Sequence, residues 1–382
     1  MPIRFASSPR SSVGIEWELM LVDDRGDLVG EAPGILEALK DRPGITGELL
    51  TNTVEIVSDP HARVADAVRD VRDRIAEVRA ECATRGIGLL SAGSHPSALW
   101  HEQRIAEATR YDKLIRRTQW WGRNMMIWGM HVHVGVERRA KVMPLLAELG
   151  ATLPHLQALT ASSPYWAGEE TGYASNRALV FQQLPTAGLP WALDDWPAFE
   201  GYVDDLVRTG VVDDETEVRW DARPAPRWGT LEVRACDAPS SLHELAAVAA
   251  LAQCLVERGS RRLDAGRAPA PLAPWFHREN KWRVARYGLD AVTVVDAGGR
   301  EQPVREHLAE LLVDLSPIAD ELGCAEELGG VEQILALGGG ADRQRAVAQA
   351  HDGDLAAVVR HLRAEFDAER PLPAADHGRR EA

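Results

Sequence analysis

Ser12-Val-Gly-Ile-Glu-Trp-Glu-Leu-Met-Leu-Val22 decides the reading of the fold. Val13, Ile15, Trp17, Leu19 and Leu21 fall on one side of an extended chain, and Gly14, Glu16, Glu18 and Met20 fall on the other. That two-residue period is the mark of a half-buried strand. Asp23-Asp-Arg-Gly-Asp27 follows with turn chemistry and predicts a hairpin. Working outward, similar strands are read over Leu49 to Val57, Gly129-Met-His-Val-His-Val-Gly-Val-Glu137, Val218 to Arg223 and Gly229 to Asp237. The last two are joined by a turn at Pro224-Ala-Pro226, and Ile87 to Ala92 reads as a short buried strand.

Helical spacing fills much of the rest. A short helix is expected near Pro33 to Lys40. A long amphipathic one opens on Asp59-Pro60, as N-cap and first helical residue, and stops at Gly86. Further helical patterns cover 102–121 and 141–163, and a polar, tryptophan-bearing connection covers 164–215. Ser241-Leu-His-Glu244 is a capping box opening a helix to Asp264, followed by segments 274–287, 303–322, 329–337 and 341–368. Strands grouped early and centrally, without βαβ alternation, predict an α+β fold on an antiparallel sheet. The expected organisation is a flexible N-terminus over 1–11, a single domain over 12–370 and a flexible tail over 371–382.

The chain has 382 residues, 43 basic against 58 acidic, a net charge of −15, and 45% apolar residues. This is an ordinary globular composition, and its acidity argues against nucleic acid as the main partner. No apolar run reaches the roughly 18 residues of a membrane span, and no export signal is read. Cys82, Cys236, Cys254 and Cys324 form no CxxC pair, which argues against a disulfide framework or structural zinc and for a reducing cytoplasm. No glycine-rich nucleotide loop occurs, and Gly338-Gly-Gly340 reads as a helix-breaking turn. Apolar helix surface leaves self-association open.

The polar strand faces carry the chemistry. Period two places Glu16 with Glu18, Glu55 with Thr53, His131 with His133, Arg219 with Arg223, and Glu232 with Arg234. One such face alone is a solvated surface. Several sharing a sheet would crowd carboxylates until they raised one another's pKa, unless cations bound there. Carboxylates with one imidazole favour Mg²⁺ or Mn²⁺ over zinc. The arginines suit phosphate or carboxylate oxygens, with salt bridges to the same glutamates as the competing reading. Glu48 changes face relative to Glu55 unless a bulge or turn intervenes. The run from Trp120-Trp121 to Trp128 reads as core.

Seven segments together resemble the glutamate-cysteine ligase type 2 group of carboxylate-amine ligases. They are Gly14-Ile-Glu-Trp-Glu18, Glu48-Leu-Leu-Thr-Asn-Thr-Val-Glu55, His131-Val-His-Val-Gly135, Thr171-Gly-Tyr-Ala-Ser-Asn-Arg177, Arg219-Trp-Asp-Ala-Arg-Pro224, Gly229-Thr-Leu-Glu-Val-Arg234 and Glu279-Asn-Lys-Trp282. The resemblance spans roughly 10–370 and implies a glutamine synthetase/guanido kinase-like catalytic domain, a curved antiparallel funnel with helices on its outer face. It implies ATP and Mg²⁺, with Mn²⁺ as substitute, and amino-acid substrates joined through an acyl phosphate to give γ-glutamylcysteine. By the same resemblance Glu16, Glu18, Glu48, Glu55, His131 and Glu232 match metal ligands. Arg219, Arg223 and Arg234 match catalytic arginines, and Arg177, Arg219, Arg223 and His133 match nucleotide-facing positions. The chain departs from the family pattern at Ala225 and Trp228, where Ser and Phe are commoner. Two other readings stay open: a metal-dependent amidohydrolase built on His131 and His133, and a non-catalytic relic of a ligase.

Overall fold

The computed structural model describes residues 2–374. Its principal sheet is built from β1 (Val13–Val22), β2 (Ile45–Gly47), β3 (Thr53–Val57), β4 (Gly88–Leu90) and β5 (Gly129–Gly135). A separate small hairpin follows, β6 (Tyr165–Trp166) with β7 (Glu169–Glu170), and then β8 (Ala222–Ala225) and β9 (Thr230–Asp237) complete the sheet. The order is β2-β3-β1-β5-β9-β8, with β4 also on β1, and every pairing is antiparallel. Helices pack against this sheet, so the α+β expectation holds. A two-stranded sheet of β10 (Val292–Val294) and β11 (Glu301–Pro303) was not foreseen.

Alternation in β1 sorts the two faces. Ile15, Trp17, Leu19 and Leu21 are fully buried on the apolar side, where the helices Val64–Ala83 and Leu242–Asp264 cover the sheet. Trp17 donates from Nε1 to Ser91 Oγ at 2.9 Å and lies against Phe366. Ser241 accepts from the Glu244 amide and opens the central helix where its capping box predicted.

Several boundaries move for identifiable reasons. Residues 58–61 extend along β1, with Ser58 N donating to Ile15 O and His61 N to Val13 O, so the helix expected from Asp59-Pro60 starts at Val64. The strand expected from Leu49 begins at Thr53, because Thr51 and Asn52 bond to Arg104 and Leu21 instead. Pro224 and Ala225, expected as a turn, lie in edge strand β8, where a residue without N–H is tolerated. The turn falls at 226–229, and Gly229 takes φ +66° there. Segment 102–121 yields a helix only from Thr109, broken at Gln119. Segment 141–163 divides before Leu153-Pro154, and 341–368 divides at Asp352-Gly353, where these two residues take positive φ. The connection 164–215 holds the helices Asn176–Phe181 and Trp196–Arg208. Trp128 is core, but Trp120 and Trp121 are 52% and 43% exposed, against expectation.

The N-terminal residues, expected to be flexible, are tied to the body. Ala6 N donates to Pro226 O at 2.8 Å, Ser8 Oγ to Trp228 O at 2.6 Å and Ser11 Oγ to Glu257 Oε2 at 2.6 Å. Arg10 pairs with Glu257 and Asp264. The expected tail lies largely outside the described residues; of its described part, Leu372 N donates to Glu365 Oε1 at 2.9 Å. Among the described residues no helix is long and apolar enough to cross a membrane.

Candidate active site

Register brings the polar faces together. Glu16 lies opposite His131, and Glu18 lies opposite Glu55. His133 lies opposite Glu232, and Glu232 lies opposite Arg223. The turn between β2 and β3 returns Glu48 to this side. Two groups of three result, Glu16-His131-Glu232 and Glu18-Glu48-Glu55, and within each the candidate ligand atoms all lie within 4.8 Å of one another. All six residues that the resemblance matched to metal ligands are therefore gathered, three to a group.

The two groups differ in electrostatics. In the first, His131 Nδ1 lies 2.7 Å from Glu16 Oε2, and His133 Nε2 lies 3.1 Å from Glu16 Oε1. Burial alone would raise the Glu16 carboxyl, but hydrogen bonds with both histidines hold it well below the usual range. Burial would likewise raise Glu232, yet the guanidinium charges of Arg234 and Arg223 hold it down. Burial, aided by Arg234, pulls His131 to about 4 and leaves the neutral imidazole that metals prefer. In the second group the carboxylates repel. Burial and then the Glu48 charge push Glu18 up to about 8, and burial followed by Glu48, Glu16 and Glu18 pushes Glu55 up. Burial raises Glu48 too. A divalent cation would relieve that repulsion, so the donor set fits a hard metal ion.

The arginines line the same wall. Arg223 donates to Glu232 from Nε at 2.7 Å and to the Thr216 and Val218 carbonyls from Nη1 at 2.6 and 2.8 Å. Arg234 Nη1 also pairs with Glu232, and its Nε has no hydrogen-bond partner among the described residues. Arg219 is held by Glu217, through its carbonyl at 3.0 Å and its carboxylate at 3.5 Å. For Arg223 and Arg234 the salt-bridge reading thus describes the ligand-free protein. His133 has both nitrogens engaged, Nδ1 with Thr230 Oγ1 at 2.9 Å. His131, not His133, shares a metal-like group, so the paired-histidine arrangement of an amidohydrolase is not formed among the described residues.

A cavity of 190 Å³ opens on this wall, lined by the charged Glu16, His133, Arg223 and Glu232 and by Pro224, Pro226, Arg227 and Trp228 among others. Trp228 is 58% exposed, with the Arg227 guanidinium 4.9 Å above its ring. Sequence reasoning noted Trp228 only as a departure and gave Arg227 no part. It also missed Arg110, whose charge acts on Glu48 and which stacks on Tyr111. Only the basic face of an otherwise ordinary helix signalled that residue.

Comparison with known proteins gives a family and a fold. The family model for glutamate-cysteine ligase family 2 matches residues 12–361. A Leifsonia xyli subsp. xyli protein named "Putative glutamate--cysteine ligase 2" is 54% identical over 370 residues, 95% of this chain and 98% of its own. One of the same name from Mycobacterium tuberculosis H37Rv is 52% identical over 365 residues, 95% and 97% of the two chains. Among solved structures, the glutamate–cysteine ligase of Francisella tularensis in complex with AMP superposes with a TM-score of 0.69 at 14% identity, covering 95% of this chain and 90% of that one. A bifunctional glutathione synthetase from Pasteurella multocida gives 0.66 at 17% identity, covering 94% of this chain and 52% of that one. At such identities these structures share the fold.

Proposed function

Because the chain belongs to glutamate-cysteine ligase family 2, we propose that it is an ATP-dependent carboxylate–amine ligase joining the γ-carboxyl group of glutamate to the amine of cysteine. The observation that carries this reading is the pairing of two three-ligand groups with interleaved arginines on one sheet face. In the reaction a γ-carboxylate oxygen attacks the γ-phosphorus of ATP and ADP leaves. The amine then attacks the acyl carbon of γ-glutamyl phosphate, the C–O bond breaks, and phosphate departs as the amide forms with loss of the amine's proton.

Glu16, His131 and Glu232 would hold one divalent cation, and Glu18, Glu48 and Glu55 a second. When bound, such ions would neutralise phosphate oxygens and help align them with the attacking carboxylate. Arg219, Arg223 and Arg234 supply fixed positive charge beside the first group, where the transferring phosphoryl oxygens gain charge. Removing one such arginine should cost about 10²-fold in rate. The 190 Å³ cavity offers charged side chains for phosphates and prolines with Trp228 for a base, and the AMP bound by the Francisella ligase supports a nucleotide substrate. His133, hydrogen-bonded to Glu16 and Thr230, would orient Glu16.

The deciding experiment follows ADP release with Mg²⁺-ATP, glutamate and cysteine, each omitted in turn, with the product weighed by mass spectrometry. Release that needs both amino acids, with γ-glutamylcysteine formed, is the expected result. A product from another amine would reassign the acceptor, and amide cleavage without nucleotide would remove the ligase reading.

A further inference from the structure

The segment Thr171-Gly-Tyr-Ala-Ser-Asn-Arg177 ends in a guanidinium matched above to nucleotide binding, yet its surroundings describe another task. Arg177 is 3% exposed. Its Nη1 donates to the main-chain oxygen of Arg234 at 3.2 Å, and its Cζ lies 5.5 Å from the Phe181 ring centre. A Cβ built at Gly129 would meet Arg177 Nη2 at 2.2 Å, so the guanidinium fills the space that a side chain at 129 would need. Gly129 in turn donates its amide to Glu18 Oε2 at 2.5 Å.

Behind Arg177 stands a fully buried carboxylate. Asp237, paired in register with Gly129, accepts from Ser162 N at 3.0 Å, Ser163 Oγ at 2.7 Å and Ser175 Oγ at 2.7 Å. Ser163 Oγ then accepts from the Arg177 amide at 3.1 Å, and Ser175 caps the helix Asn176–Phe181. Asn176 Nδ2 reaches Ser163 O and Thr171 Oγ1, both at 2.7 Å. Thr171, Ser175, Asn176 and Arg177 all direct their side chains to internal partners.

We infer that Asp237 and Arg177 are positioning residues, linked through Ser163, which fix the backbone at Gly129 and Arg234 and thereby aim Glu18 and the Arg234 guanidinium. A neutral residue at 237 would keep the shape of the serine cluster but lose the charge facing Arg177. The inference deepens the ligase reading and rests on it for its kinetic test alone.

Asp237→Ala would strand three donors and risks not folding, so the variants are Asp237→Asn, which keeps size and an acceptor, and Arg177→Gln. In the ligase assay each should lower kcat about tenfold, with the KM for ATP changed by no more than about twofold, and the double variant should lose no more than the worse single. A rise of about tenfold in ATP KM at unchanged kcat in Arg177→Gln, or losses that multiply in the double variant, overturns the inference. Hydrogen exchange on the ligand-free chain decides without turnover. Both variants should loosen the amides of 129–131 and 232–235 while 53–57 stay protected, and loosening confined to 171–181 overturns it. A parent chain that makes no product yet shows the expected exchange pattern defeats the ligase reading and leaves the positioning role standing.

Discussion

Glu18 and Glu55 face each other across β1 and β3, an arrangement that costs the metal-free protein stability. Their carboxyls, with Glu48, are raised above the ordinary value, so the folded chain keeps protons that the unfolded chain has already released. Stability present at acid pH is therefore lost as pH climbs from about 4.5 towards about 8, the range set by Glu18. In chelator the melting temperature should fall across that window. Glu55→Gln should flatten the fall, gaining about 1 kcal/mol at pH 8 and nothing at pH 4, while abolishing stabilisation by Mg²⁺. Thermal unfolding at the two pH values checks this, and equal melting of variant and parent at pH 8 would refute it. Glu232 has the opposite sign. Its lowered carboxyl contributes stability above its ordinary value that is lost on acidification, and Glu232→Ala would strand Arg223 and Arg234. A loss of about 3 kcal/mol in urea unfolding is expected. The period-two pattern made the gathering of these side chains legible, because it assigns a face without knowing the partner strand. It did not say which carboxylate opposes which, since the register between β1 and β3 is settled by everything packed around them.

Among elements, β1, β5 and β9 were readable because their apolar faces alternate cleanly, and the central helix because its cap lies in the sequence. β8 was displaced because proline signals a turn until an edge position is known to be available. The same shift moved the real turn onto Arg227-Trp228, creating the exposed ring beside the cavity. Stacking on a nucleotide base is the use the ligase reading gives that ring. Trp228→Ala should raise the KM for ATP about tenfold with kcat retained, and Trp228→Phe should restore it. Steady-state kinetics at varied ATP measures this; an unchanged KM in the alanine variant would assign the ring to other contacts.

Across the whole molecule, residues 2–11 hold the Trp228 turn from behind. Ala6 and Ser8 bond to Pro226 and Trp228, and a Cβ at Gly229 would lie 1.9 Å from the Ala6 oxygen. Deleting residues 2–8 should therefore weaken ATP binding about as much as loss of the ring, with glutamate KM unaffected, as calorimetry and kinetics would register. Removing divalent ions with a chelator should abolish ADP release altogether and restoring Mg²⁺ should recover it. Sequence patterning missed this brace because a polar segment without period looks the same whether it is loose or docked.

During synthesis this strap emerges well ahead of much of its seat. Its anchors run from Gly135, Glu137 and Glu200 through Pro226 and Trp228 to Gln253, Glu257 and Asp264, so the seat is complete only once Asp264 has been made. A nascent chain stalled before the helix Leu242–Asp264 would hold this strap by its earlier anchors alone, and completion of that helix would add the pairing of Arg10 and Ser11 with Glu257.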